Sequence, residues 1–456
     1  MTQFGSPPSW ARSSAATTPP HTSPSVRVPR TASPAVEALA ADPSPERRAS
    51  FWRRVAYEGT PLVEDVDGSP DERVYTFVHR DHTGARGVLL DVNKLADAST
   101  YRDALMSRVP GTALWSVSLR MPADWRASYG ICVDDGGGPT VDERTAAQLE
   151  ERRRRTLEVT PADLKRDVDA WYDLLLRREP DPLAREHALL GHESVASGPA
   201  APALPGGIGG IVVGEQAAPG ARGRTMPDSG LGPGRKAWWH VPPVEPGPDG
   251  WDVLVLLDGD RWLGAGLRVL DQVFAAGLLR PAVVLLVAGG DMSGRIADPT
   301  CSPDYVRALV RLLAGADPRR LGGVVTTHPA RTTIVGQSLG GLTALYAQCV
   351  APERFGASVC QSGSWWWPTR PSDAGPQPGE WLRGAVETAA QDAAWRLDRV
   401  YLEVGSRESV LLDPTRRLRD ALDGRCEQLR YSEFEGGHDL ACWAVNLPGA
   451  LMSLAR

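Results

Sequence analysis

The chain has 456 residues, enough for two large domains or two to four of ordinary size, and its 42% hydrophobic and 23% charged residues exclude collagen-like, wholly disordered and disulfide-scaffold proteins. A net charge of −6 leaves no electrostatic footprint for nucleic acid or an anionic membrane surface, so the expected partner is a small molecule. Lys94, Lys165 and Lys236 are the only lysines among 50 basic residues; the arginine excess reads mainly as codon bias, although guanidinium groups suit planar anions.

In chain order, residues 1–45 are rich in Ser, Pro, Thr and Ala without the apolar central region of a secretory signal, and are expected to be a disordered tail. Residues 46–190 carry short β-rich runs, Arg73-Val-Tyr-Thr-Phe-Val-His79, Gly87-Val-Leu-Leu-Asp91 and Ala113-Leu-Trp-Ser-Val-Ser-Leu119, whose spacing predicts a small β-sandwich of immunoglobulin-like kind. Residues 191–235, densest in Gly, Pro and Ala between Gly198 and Gly234, read as a linker. From 236 to 456 the pattern changes. Apolar runs at Trp251–Leu257, Pro281–Val287, Thr332–Val335, Ala357–Val359 and Val400–Val404 alternate with longer amphipathic stretches, which predicts an α/β domain with a mostly parallel sheet. No run approaches the roughly 18 apolar residues of a membrane span. The six cysteines form no CxxC pair and are expected to be buried free thiols; together these features point to the cytoplasm.

Gly336-Gln-Ser338-Leu-Gly340 lies directly after the run Thr332–Val335 and directly before the helical pattern Gly341–Ala347. This is the context of a nucleophile elbow, in which a serine on a sharp strand-to-helix turn projects its hydroxyl above the sheet of an α/β-hydrolase. Such a serine needs a base and an orienting carboxylate, in the chain order serine, acid, histidine. Of the eight histidines only His438 follows Ser338, in Glu435-Gly-Gly-His438-Asp, after the strand-like run Leu429–Phe434. Glu408, in Gly405-Ser-Arg407-Glu408 beyond a late strand, is the preferred acid, with Asp413 as the alternative. Oxyanion donors are expected from the N–H of Leu339 and from Gly259, in Asp258-Gly259-Asp260 after an early strand. In Ser362-Gly-Ser364-Trp365-Trp366-Trp367-Pro368, adjacent tryptophans are not expected to share one core face, so Trp365 and Trp366 either line a cleft for aromatic rings or form a packed corner. Arg295 is either an anion contact or a solvated surface group, and Arg407 either pairs with the acid, contacts substrate or is solvated. There is no structural-zinc spacing and no phosphate loop, so hydrolysis is expected to need no cofactor or metal.

On these residues the chain resembles the enterochelin (enterobactin) esterase family, through Gly336–Ala347, Pro352-Glu-Arg-Phe-Gly356, Gln361–Pro368, Leu402–Glu408 and Gly436–Trp443, and in the first domain through Asp124-Trp-Arg-Ala-Ser-Tyr129 and Asp181-Pro-Leu183. The resemblance implies a serine esterase that cleaves the ester backbone of a ferric catecholate siderophore inside the cell. It implies Ser338 and His438 as nucleophile and base, Arg295 and Arg407 as contacts to an anionic iron complex, and iron only as part of the substrate. The chain departs from the family pattern in Asp298-Pro-Thr-Cys301 after Arg295 and in its long linker. An aryl or feruloyl-type esterase with the same triad is the alternative, and a non-catalytic binding protein a third. Nothing in the sequence sets the oligomeric state.

Overall fold

The computed structural model describes residues 28–205, 223–228, 235–289, 300–370 and 377–455, with 208, 230, 231 and short stretches of the first twenty. These divide into two compact units: one comprises 23–202 with 435–442, the other 1–22, 203–434 and 443–456.

The first unit is built from β1 (Leu62–Asp65), β2 (Glu72–Arg80), β3 (Gly87–Val92), β4 (Ser107–Arg108), β5 (Leu114–Pro122), β6 (Arg126–Asp134), β7 (Arg178–Glu179), β8 (Glu186–His187) and β9 (Ser194–Ser197). They form two antiparallel sheets, ordered β1-β2-β5-β4 and β3-β6-β9-β8. Inward side chains of both sheets, among them Tyr75, Phe77, Val88, Leu90, Val117, Tyr129 and Ile131, share one apolar core, so the expected sandwich is present. Its buried polar centre is Asp181, which accepts hydrogen bonds from Thr60 Oγ1 and from Tyr129 OH (2.8 Å).

The second unit contains β10 (Arg224–Asp228), β11 (Ala237–Val241), β12 (Asp252–Leu257), β13 (Ala282–Val287), β14 (Thr332–Gln337), β15 (Ala357–Gln361), a small hairpin of β16 (Thr369–Arg370) and β17 (Gln377–Pro378), β18 (Leu397–Gly405) and β19 (Cys426–Phe434). The main sheet runs β10-β11-β13-β12-β14-β15-β18-β19, antiparallel at the β10–β11–β13 end and parallel from β13 onward. Every residue of β13 and β15 is buried, as expected of strands covered on both faces. Helix Leu339–Val350 packs on β14 and β15 and buries its first eleven residues. The chain passes from β12 outward to β13 on one side and returns to β14 on the other. That reversal lies between β12 and β14, and beyond the carboxyl ends of strands at such a reversal is where ligands bind in sheets of this kind.

Two boundaries differ from expectation. The stretch 1–45 is not simply a tail: Pro34–Ala41 is a helix with Ser33 as N-cap, and its Leu39 packs with Phe51, Val55, Leu62 and Val78. Nearer the start, Ala11 joins the core of the α/β unit and the Ala16 carbonyl accepts from Thr369 N at 2.7 Å. The expected linker 191–235 contains β9 and β10, each paired into a sheet. These segments lack long apolar runs, but a few buried side chains and ladder hydrogen bonds suffice to fix them.

All six cysteines are free; Cys426 is half-buried and the others are buried. Among the described residues no helix is long and apolar enough to cross a membrane.

A buried pair ties the antiparallel edge to helix Ala265–Ala275. His240 Nε2 lies 2.7 Å from Asp271 Oδ1, Thr225 Oγ1 lies 2.9 Å from His240 Nδ1, and Gly223 N–H donates to Asp271 Oδ2 at 3.0 Å. Asp271→Ala strips the acceptor from both groups, and urea unfolding should show a loss of about 1–3 kcal/mol.

Candidate active site

Ser338 follows β14 with φ 56° and ψ −121°, a conformation few non-glycine residues adopt. The cause is steric: a Cβ at Gly336 would sit 2.1 Å from the Gly340 carbonyl oxygen, so strand and helix approach over a hydrogen atom. Ser338 is half-buried between the buried Gln337 and Leu339. Leu339 opens helix Leu339–Val350, and the first N–H groups of a helix have no intrahelical partner. Gly259 lies buried in the turn Gly259–Trp262 at the end of β12, the strand paired with β14 through Leu256 and Val335. The structure therefore brings Ser338, Leu339 and Gly259 to the carboxyl ends of two adjacent parallel strands.

The segment after β15 connects the serine to the acid. Ser364 N–H donates to the Ser338 carbonyl at 2.9 Å, and the two serine Oγ atoms lie 3.3 Å apart. Ser362, also at positive φ, donates through Oγ to Glu408 Oε1 at 2.5 Å and accepts from Trp443 Nε1 at 2.9 Å. Glu408 accepts a further bond from Gly405 N–H at 2.7 Å and is 3% exposed. Asp413 differs sharply: its side chain is 70% exposed and lies 3.6 Å from Arg416. Of the two candidate carboxylates, only Glu408 is held at the sheet's carboxyl edge.

His438 belongs to the other compact unit, with the two antiparallel sheets, a grouping the sequence does not reveal. There the Asn93 side chain donates to its backbone carbonyl at 3.1 Å. Arg407 is half-buried beside Glu408, while Arg295 lies outside the described residues. Trp365, Trp366 and Trp367 are 2%, 5% and 1% exposed and all belong to the apolar core. Of the two readings of Trp365 and Trp366, this burial fits the packed corner. The alternation rule that forbids one shared face applies to strands, whereas this segment turns at Trp365 and Trp366.

Several polar residues were not singled out from the sequence. Gln337, Gln361 and Glu403 are in register on β14, β15 and β18 and form a hydrogen-bonded row one residue below the serine. Gln337 Nε2 donates to Gln361 Oε1 at 2.8 Å, and Gln361 Nε2 to Glu403 Oε1 at 2.8 Å. Burial pushes the Glu403 carboxyl up to about 7, with the nearby Glu408 carboxylate adding to the effect, although bonds from Gln361 and Tyr401 oppose it. The available signal was a glutamine ending each of two apolar runs and a glutamate set inside a third, between Leu402 and Val404. Among the described residues no cluster of His, Cys, Asp and Glu has the geometry to hold a metal ion.

A family model described as enterochelin esterase, N-terminal, matches residues 74–206, and one described as putative esterase matches residues 230–454. The iron(III) enterobactin esterase of Dickeya dadantii (strain 3937) is 29% identical over 414 residues, covering 87% of this chain and 91% of that one. The iron(III) salmochelin esterase of Escherichia coli O6:H1 is 29% identical over 408 residues, covering 86% and 90%. Among solved structures, the ferric enterobactin esterase of Salmonella typhimurium aligns with a TM-score of 0.68 at 26% identity, covering 89% of this chain and 98% of that one. The enterobactin esterase of Shigella flexneri, determined in the presence of enterobactin, aligns with a TM-score of 0.66 at 25% identity, covering 89% and 97%.

Two measurements check this arrangement. Trp366→Ala should cost about 3–5 kcal/mol in chemical unfolding, as loss of a core aromatic does, where a solvent-lined cleft residue would cost little. Glu403 has a folded value above its ordinary 4.5, so the folded state binds the extra proton and stability falls as pH rises from 4.5 to about 7. Glu403→Gln should flatten that slope, and the variant should gain on the parent across the same interval.

Proposed function

The chain belongs to the enterochelin esterase family, and from that premise we propose that it hydrolyses the ester backbone of a ferric catecholate siderophore of the enterobactin class. The carrying observation is that similarity to iron(III) enterobactin and salmochelin esterases runs through both domains. It is joined in this chain by a serine at the strained strand-to-helix turn such hydrolysis uses.

Ser338 Oγ attacks the ester carbonyl and passes its proton to His438, whose imidazolium Glu408 stabilises. The carbonyl π electrons move to oxygen, and the N–H groups of Leu339 and Gly259 receive the charge. Collapse breaks the bond to the serine hydroxyl of the substrate backbone, which takes the proton from His438 and leaves an acyl-enzyme. Water, deprotonated by the same histidine, releases the acid and restores Ser338. The burial of Glu408 and its two donors support its assignment over Asp413.

The reaction uses these side chains without a resident cofactor; iron enters as part of the substrate. Arg407 supplies positive charge toward the anionic complex, as charge-assisted contacts do. Once the backbone is cut, its preorganisation of the three catechols is lost and the iron is held less tightly. The reaction is placed in the cytoplasm, a reducing compartment that suits six free thiols.

Purified protein and Ser338→Ala, incubated with ferric enterobactin, iron-free enterobactin and a simple aryl ester, separate the readings by mass spectrometry of the products. Siderophore cleavage that vanishes in Ser338→Ala, with ligand binding retained, is the expected result. Cleavage of the aryl ester alone removes the iron-release role.

A further inference from the structure

The loop that carries His438 is anchored by the sandwich. Within that compact unit Arg126 N–H donates to the Glu435 carbonyl at 3.1 Å, and Asn93 Nδ2 to the His438 carbonyl at 3.1 Å. The next residue, Asp439, is 4% exposed and divides its carboxylate. Oδ1 accepts from Ala441 N–H at 2.9 Å, the bond of an ordinary helix cap, while Oδ2 accepts from Ser128 N–H of β6 at 2.6 Å, which capping does not require. Arg126 Nε donates to the Ala441 carbonyl at 2.9 Å, and its guanidinium is paired with Glu186, itself bonded by Ser197 Oγ at 2.6 Å. Gly437 allows the closest approach: a Cβ there would lie 2.5 Å from Asn93 Oδ1 and from Lys94 Cγ.

We infer that the sandwich holds the histidine of the reaction in register through Asn93, Arg126 and the Ser128–Asp439 bond, so that these are positioning residues for His438. The inference rests on the reading of His438 as the base. The backbone is fixed before, at and after the histidine, which confines the imidazole to the few positions its own rotamers allow. Displacement of a reacting group by about 1 Å can cost on the order of 100-fold in rate.

Asp439→Asn tests this with little change of shape. An amide has one oxygen for two N–H groups, so one of the two bonds is lost and an NH2 group faces a donor. Ferric enterobactin turnover should fall about 10- to 100-fold in kcat with KM within about twofold, and Asn93→Ala should act in the same direction. In a His438→Ala background Asp439→Asn should cost nothing further, measured as residual turnover of an activated aryl ester. An equal loss in both backgrounds, or wild-type kcat in Asp439→Asn and Asn93→Ala beside an inactive His438→Ala, overturns the positioning role alone. Wild-type turnover by His438→Ala overturns the base assignment and the positioning role with it. If Asp439→Asn has a lowered melting temperature, Asn93→Ala in the same two backgrounds decides.

Discussion

The contact between Gly336 and the Gly340 carbonyl is the constraint on which the geometry of the strand-to-helix turn at Ser338 depends. A strand paired on both sides turns into a buried helix within a few residues, and the turn leaves Ser338 at positive φ. Holding a serine there costs on the order of 1–3 kcal/mol. The burial of eleven consecutive residues of the following helix easily offsets that cost, and it also prevents the turn from relaxing. Ser338 thereby stands half-buried at the junction, directly before the first N–H groups of the helix.

A polar layer lies directly beneath this turn. In the apolar interior a carboxylate is tolerated only with donors, and the two buried glutamates meet that requirement differently. Glu403, bonded by Gln361 and Tyr401 in the middle of a sheet, is driven toward its protonated form. Glu408, a few residues further, is held by a serine hydroxyl and a backbone N–H at the edge where the sheet opens. One glutamate closes a hydrogen-bonded row across three strands, and the other is fixed beyond the carboxyl end of its strand.

Much of this was legible in the sequence because apolar runs and turn geometry are local. Strands β12, β13, β14, β15 and β18 coincide with runs of buried residues, and the glycine-framed serine falls at the predicted junction. What was not legible depended on distant partners. Strand β10, Arg224-Thr-Met-Pro-Asp228, has no alternation and carries a proline, and becomes a strand only because β11 supplies its ladder. The three tryptophans sort into the core through a turn whose course the sequence does not state. The row Gln337–Gln361–Glu403 exists only once register is known, since its members are 24 and 42 residues apart. The anchoring of the His438 loop spans more than 300 residues and has no local signature at all.

The eight residues from 435 to 442 join the sandwich although the chain on either side of them belongs to the α/β unit. The polypeptide thus crosses between the two units again long after the glycine-rich segment that looks like the natural place to cut. A gene fusion or exchange made at that segment would transplant the sandwich without its final strip, and the α/β unit with a strip left unsupported. A division of the chain that keeps both units whole has to follow the threading at 434/435 and 442/443 as well as the glycine-rich segment.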